Sequence, residues 1–303
     1  MKHLLSIAEL GRGDVEELFR LAREWKARTR TRALATPLAG RALALVFEKP
    51  SLRTRVTFEV GMAQLGGRSV YLGGGDIGLG RRESIADVAR NLGRWVDAIA
   101  ARTFTQAAVE ELARHAGIPV INGLSDHEHP CQALADFFTL WERGLDLRGL
   151  RLAWVGDGNN VLHSLVLLGA LVGTEVSVAC PPEYEPDSTV LAAARGLGGR
   201  VTVTTEVADA VRGADCVYTD VWISMGQEAE RERRLEAFSR YQLNDRVLAF
   251  AKSGALVMHC LPAHRGEEIT DAVLDGPQSV VLDQAENRLH VQKAVLLRLL
   301  GKG

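Results

Sequence analysis

The residues best equipped for chemistry gather at a few places in the chain. The first is Ser51-Leu52-Arg53-Thr54-Arg55, which lies between the apolar run Ala42–Phe47 and a stretch where Val56, Phe58, Met62 and Leu65 recur at helical spacing. A turn from a strand into a helix offers unpaired backbone N–H groups and the positive end of the helix dipole. Two guanidinium groups and two hydroxyls added there make an anion site, and phosphate suits it because arginine grips phosphate bidentately. Ser51 taken alone reads equally well as a helix N-cap.

The second place is His127-Glu128-His129-Pro130-Cys131-Gln132. Pro130 fits the first turn of a helix, so His129 stands just before a helix N-terminus and Gln132 just inside it. Adjacent side chains in His-Glu-His point different ways, and His163, His259 and His264 lack ligand spacing, so no metal site is expected. Gly156-Asp157-Gly158-Asn159-Asn160-Val161 resembles half of a dinucleotide fingerprint, but Val161 is too large for the third glycine position. Ala179-Cys180-Pro181 also replaces the acid that would bind a ribose, which disfavours a nicotinamide cofactor. Asn159 and Asn160 at a helix start suit a ligand carboxylate, although Asn159 alone reads as a cap. Asp220 and Ser224 follow an apolar run, and an Asp there can bind an ammonium group. His259-Cys260-Leu261-Pro262 follows another. A Cys beside a His raises the possibility of a nucleophile, but reactivity needs a base in space, and an inert buried thiol is the common alternative.

These groups need elements to hold them. Short apolar runs at 42–47, 70–72, 98–101, 118–121, 152–155, 176–179, 201–203, 216–219, 256–259 and 280–282 alternate with helical segments, the signature of parallel α/β sheets. Such sheets bind ligands at the carboxyl ends of their strands, where Arg53, Arg102 and the loop after Ile121 all fall. The glycine-rich stretch Gly73–Ser84 reads as a mobile functional loop. The boundary between two domains is expected around 140–150, in the turn Arg143–Gly149. The last helix is expected from about Gln284 to Leu300.

Length allows two ordinary domains: there are 303 residues, 47% hydrophobic and 24% charged, with net charge −2. Nothing global favours nucleic acid or an anionic membrane, and no apolar run approaches the ~20 residues of a membrane helix. Met1–Leu10 does not read as a secretory signal, so a cytoplasmic location is expected. Cys131, Cys180, Cys216 and Cys260 are too widely spaced for a zinc knuckle or a disulfide framework.

Together and in this order, the segments resemble the aspartate/ornithine carbamoyltransferase family, most closely its ornithine branch. Ser51–Arg55 is similar to the family's S-T-R-T-R motif, and His129-Pro130-Cys131-Gln132 to H-P-x-Q. Asp220 with Ser224-Met225-Gly226 is similar to D-x-x-x-S-M-G, and His259–Pro262 to H-C-L-P. Ala285-Glu286-Asn287-Arg288 is similar to the late arginine motif. Two departures stand out. Leu52 replaces a Thr, which leaves the backbone N–H available. Gly78 replaces the Gln or His with which many members reach a neighbouring subunit's carbamoyl phosphate; Arg81 or Arg82 could substitute.

The resemblance implies two α/β domains, each a parallel sheet flanked by helices, joined by interdomain helices. Residues 1–143 would bind carbamoyl phosphate and 144–303 ornithine, with the last helix (285–300) returning to the first domain. The δ-amine of ornithine would attack carbamoyl phosphate, giving citrulline and phosphate without metal or organic cofactor, in arginine metabolism. Ser51, Leu52, Arg53, Thr54, Arg55 and Arg288 would hold the phosphate. Arg102, His129 and Thr54 would stabilise the oxyanion. Gln132 and the carbonyls of Cys260 and Leu261 would hold the carbamoyl amino group. Asn160 and the Met225 backbone would take the ornithine carboxylate, Asp220 and Ser224 its α-ammonium, and Cys260 with Asp220 would orient the δ-amine. Domain closure would complete the site. The family also implies a homotrimer or an assembly of trimers. Rival readings are a carbamoyltransferase for aspartate, putrescine or N-acetylornithine, and an NAD-dependent dehydrogenase.

Overall fold

The structure, a computed structural model, describes residues 1–32, 35–224 and 226–301. The chain forms two compact units, Met1–Phe138 with Glu286–Gly303, and Thr139–Ala285. Each is built on one parallel sheet, as the alternation of apolar runs and helical segments predicts.

In the first unit, β1 (Ala42–Phe47), β2 (Arg68–Gly73), β3 (Ala98–Arg102) and β4 (Val120–Leu124) lie in the order β2-β1-β3-β4. All pairs are parallel. The central strands β1 and β3 are buried almost throughout, which is why they read as unbroken apolar runs. Ala44, Val46, Ile99 and Val120 pack against Val88 and Leu92 of the Ile85–Trp95 helix and Val109 and Leu112 of the Gln106–Ala116 helix. The second unit has β5 (Arg151–Val155), β6 (Glu175–Ala179), β7 (Arg200–Thr204), β8 (Cys216–Thr219) and β9 (Leu256–His259). Their order is β7-β6-β5-β8-β9, again parallel. The Asn160–Val172 helix is buried on nearly every side, matching its nearly unbroken apolar sequence.

Both strand orders contain a switch point, where successive connections leave in opposite directions along the sheet. In the first unit it lies between β1 and β3, and in the second between β5 and β8. Open parallel sheets present ligand sites outside the carboxyl ends of the two strands flanking such a point. Those ends are Phe47 and Arg102 in one unit and Val155 and Thr219 in the other.

One expectation is corrected. Residues 280–282 are not a strand: Val280 N–H donates to Val257 O at 2.9 Å, and the Val281–Leu300 helix begins at once. A run of three apolar residues is too short for periodicity to separate strand from buried helix. The compact units divide inside the Pro130–Glu142 helix, just before the turn Arg143–Gly149. That turn belongs with the second unit, since Arg143 pairs with Asp283 and Thr174 Oγ1 donates to Leu147 O at 2.7 Å. The glycine-rich stretch Gly73–Ser84 carries local structure. It contains a short helix, Gly74–Ile77, and a turn closed by Arg81 N–H donating to Gly78 O at 2.8 Å. Gly78 caps that helix with φ +55°, a left-handed conformation that favours glycine at this position. Among the described residues, no helix is long and apolar enough to cross a membrane.

Candidate active site

The turn after β1 runs Glu48-Lys49-Pro50-Ser51 into the Leu52–Gln64 helix. Ser51 is the N-cap, its Oγ accepting from Thr54 N at 3.2 Å. Capping uses the oxygen as an acceptor and leaves the hydroxyl proton to donate, so the cap and the ligand readings are compatible. Glu48 joins this turn to the end of β3: its N–H donates to Arg102 O, and its Oε2 accepts from Phe104 N, both at 2.9 Å. The β3–β4 register shifts between Ala101 and Arg102, a local irregularity of the kind that re-aims a side chain at a strand end.

Several cations gather there. Arg288 is buried, with Nη2 donating to Thr54 Oγ1 at 3.0 Å and Nη1 to Gln132 Oε1. Gln132 in turn donates from Nε2 to Asp136 Oδ1 at 2.7 Å. His129, buried at the start of the Pro130–Glu142 helix, is held well below the ordinary imidazole range. Loss of hydration is the main cause, followed by the charges of Arg288, Arg102 and Arg53. His129 is therefore a neutral imidazole among three guanidinium groups. Such a ring donates one hydrogen bond to a developing oxyanion without a formal charge of its own, while the arginines supply the charge.

Not every residue of the sequence motif turns inward. Leu52 is 74% exposed. Arg55 pairs with Glu59 at 3.0 Å and lies over the Tyr71 ring at 3.7 Å. Arg53, Thr54, Arg102, His129, Gln132 and Arg288 are thus brought together in the first unit, whereas the side chains of Leu52 and Arg55 are directed elsewhere. Glu128 also diverges from its neighbours. It accepts from Ser6 Oγ and, at 3.0 Å, from Ile7 N, pinning the N-terminal segment. Glu128 and His129 therefore serve separate surroundings.

In the second unit the switch point carries the opposite charge. Asp220, after β8, is 6% exposed. Its Oδ2 accepts from Asn159 Nδ2 at 2.8 Å, and its Oδ1 accepts from Cys260 Sγ at 2.9 Å. Asn159 is also the N-cap of the Asn160–Val172 helix, with Oδ1 accepting from Val161 N at 3.0 Å and Leu162 N at 3.2 Å. One amide thus caps a helix and aims a carboxylate, a double role that sequence could not separate. Asn160 opens the helix, and Ser224 donates its N–H to Gln227 Oε1 at 3.0 Å. Met225 lies outside the described residues.

His259 is not positioned as a base for Cys260. Both of its ring nitrogens are engaged elsewhere, Nδ1 with Leu261 N at 2.9 Å and Nε2 with Glu268 Oε1 at 3.0 Å. The group facing the Cys260 thiol is Asp220. The other cysteines are buried, and burial pushes the thiols of Cys131 and Cys180 up to about 11 and about 12. The glycine-rich turn after β5 is filled by the chain itself. A Cβ on Gly158 would meet the backbone of Tyr184–Pro186 at 2.3–2.6 Å, so this glycine is required by close packing of its own chain.

Sequence reading missed Arg234, which is 6% exposed. It pairs with Asp157 at 3.2 Å, donates from Nη1 to Trp222 O at 2.9 Å, and lies over the Tyr184 ring at 4.9 Å. It thereby ties the turn that carries Asn159 to the segment that follows Asp220. Burial pushes Asp157 up to about 6, against the pull of Arg234. An arginine inside the charged run Arg231–Arg234 gave no signal of this, because its partners are distant in sequence.

Similarity to known proteins covers both units. The family model for the aspartate/ornithine carbamoyltransferase carbamoyl-P binding domain matches residues 2–142, and that for the Asp/Orn binding domain matches 148–299. An ornithine carbamoyltransferase of Methanoculleus marisnigri is 54% identical over 302 residues, covering 100% of this chain and 98% of that protein. The solved ornithine carbamoyltransferase of Pyrococcus furiosus superposes with a TM-score of 0.96 at 49% identity, covering 100% of this chain and 97% of that one. That of Thermus thermophilus does so at 0.90 and 48%, covering 99% of each. The chain therefore belongs to the aspartate/ornithine carbamoyltransferase family.

Proposed function

We propose that this chain transfers the carbamoyl group of carbamoyl phosphate to the δ-amine of L-ornithine, giving L-citrulline and phosphate. The observation that carries the choice of acceptor is the anionic second site. Asp220, aimed by Asn159 and facing Cys260, suits an amine, whereas aspartate would call for cations to meet two carboxylates. The names of full-length relatives at about half identity support the same choice.

Chemistry then divides between the units. Residues 1–143 form the carbamoyl phosphate half and 144–303 the ornithine half, with the last helix, 285–300, returning to the first. Ser51, Arg53, Thr54 and the first-turn N–H groups, among them that of Leu52, hold the phosphate. Arg55 joins them only if it leaves Glu59. Arg102, neutral His129 and Thr54 stabilise the oxyanion that forms as the amine adds, and Arg288 holds Thr54 and Gln132 in place for that step. Gln132 receives the carbamoyl amino group. The nucleophile must be a neutral amine. Asp220 and Cys260 orient it and take its proton, while Asn160, Ser224 and the Met225 backbone bind the rest of ornithine. The acceptor's nitrogen gains the carbamoyl carbon, the C–O bond to phosphate breaks, and phosphate leaves with the electron pair. The enzyme acts in arginine metabolism, in the cytoplasm, as a homotrimer or an assembly of trimers.

The test is a colorimetric ureido assay with carbamoyl phosphate and, in turn, ornithine, N-acetylornithine, putrescine and aspartate. The expected result is a preference for ornithine of at least roughly 100-fold in kcat/KM, the scale set by pairing a buried carboxylate with its ammonium. A faster reaction with any other acceptor overturns the assignment.

A further inference from the structure

Leu261 has φ +57°, a left-handed conformation that is costly for a residue carrying a Cβ. Two hydrogen bonds hold it there. Leu261 N–H donates to His259 Nδ1 at 2.9 Å, and just beyond the turn His264 N–H donates to Glu268 Oε1 at 2.6 Å. The same Oε1 lies 3.0 Å from His259 Nε2. These contacts fix the state of the ring. Nδ1 accepts and so carries no proton, which places the proton of the neutral imidazole on Nε2, donated to Glu268. His259 is further anchored by its N–H to Gln284 Oε1 at 3.1 Å, and Gln284 Nε2 donates to Tyr218 OH at 2.8 Å. His259 and Glu268 are both 0% exposed. A carboxyl group buried so completely is expensive to keep, and here it clamps the two sides of a strained turn.

We infer that Glu268, acting through His259, is a positioning residue. It forces Leu261 into its left-handed conformation and so fixes the direction of the Cys260 and Leu261 carbonyls and the place of the Cys260 thiol beside Asp220. This rests on the proposed reaction. The Cys260 thiol, 2.9 Å from Asp220, is set by the same turn.

A double-mutant cycle separates positioning from plain core stability. E268A is expected to lower kcat about 100-fold while KM for ornithine moves less than about threefold. In the L261G background, where positive φ costs little, the same change is expected to lower kcat only about tenfold. A purely structural pair would give equal losses in both backgrounds, and that result overturns the inference. Iodoacetamide labelling gives a readout independent of turnover, because Cys131, Cys180 and Cys216 are buried. E268A is expected to raise the labelling rate of Cys260 at least about threefold, with a smaller rise in the L261G background. If the wild type makes no citrulline, the proposed reaction fails and the labelling cycle still decides the positioning role. If the wild type is active and neither cycle shows coupling, only the positioning role falls. Should E268A lack a melting transition, E268Q replaces it; its amide oxygen can still accept, so a smaller loss with the same coupling is expected.

Discussion

The two units use the same architectural device for opposite electrostatic purposes. Each has a parallel sheet with a switch point, and each places chemical groups at the carboxyl ends of the flanking strands. Between β1 and β3 the ends carry Arg53 and Arg102, with neutral His129 added from the segment after β4 and Arg288 by the last helix. Between β5 and β8 they carry Asp157, Asn159 and Asp220, with Cys260 added from the end of β9. Both charges gather at or just past strand ends, Arg102 being the last residue of β3, while the buried middles of the central strands are apolar in both units. Fold decides where a ligand can lie, and a handful of strand-end residues decide its charge. The environments also push one titratable group in each unit toward neutrality, from opposite sides. His129 loses its proton because it is dehydrated among arginines, and Asp157 tends to keep its own because it is dehydrated near Asp220 and Glu230.

The sharpest way to break this contrast is to remove one cation. R102A is expected to lower kcat by roughly 10³-fold with the fold intact, the loss typical of deleting a main oxyanion donor. Steady-state citrulline formation beside a thermal melt checks it, and a loss below tenfold would show that Arg102 does not face the developing charge. The counterpart in the second unit is D220N. It keeps the shape but puts an amide where Cys260 and Asn159 both donate to a carboxylate. Roughly 100-fold loss in kcat/KM for ornithine is expected, with KM for carbamoyl phosphate within about threefold. If both substrates suffered equally, the division of labour between the units would be wrong.

Much of this contrast was legible in the sequence, because the two signals involved are local. Apolar runs bounded by turn residues marked the strands, and polar groups just past their ends marked the candidate sites. What escaped was either too short or too distant. Val280–Leu282 is too brief to show a period, and it opens a helix. Arg55 carries the motif's spacing, but Glu59 one turn on and Tyr71 on the neighbouring strand β2 claim its guanidinium. Arg234 and Glu268 act on partners that only the folded chain brings near, and nothing in their immediate neighbours distinguishes them from solvated charges.

A third prediction concerns stability. Asp157 titrates near 6 in the folded protein, against 3.8 for an unperturbed carboxyl, because burial outweighs Arg234. A raised carboxyl value means that the folded state binds the proton more tightly than the unfolded chain. Stability from this group is present below about pH 4 and is lost as pH rises toward 6. D157N lacks the titration. The unfolding free energy of D157N minus that of wild type should therefore rise by up to roughly 3 kcal/mol between pH 4 and 7, at about 1.4 kcal/mol for each tenfold difference in proton affinity. Denaturant melts at several pH values measure this. A difference independent of pH would mean that Asp157 is held ionised by Arg234, and the symmetry with His129 would be lost.

The smallest effect should come from the residue where the sequence most visibly departs from its family. Leu52 replaces a threonine in the phosphate motif, yet its side chain is 74% exposed while Ser51 caps the helix and Thr54 is held by Arg288. What position 52 offers an anion is its backbone N–H in the first helical turn, and that group is the same for either side chain. L52T should therefore change KM for carbamoyl phosphate by less than about twofold, since a solvent-facing hydroxyl adds little to a site built from backbone donors and guanidinium groups. Initial rates across a carbamoyl phosphate titration at saturating ornithine decide the matter. A tenfold fall in KM would show that a hydroxyl at 52 does reach the phosphate, and that the cationic site of the first unit is one donor short of its full strength.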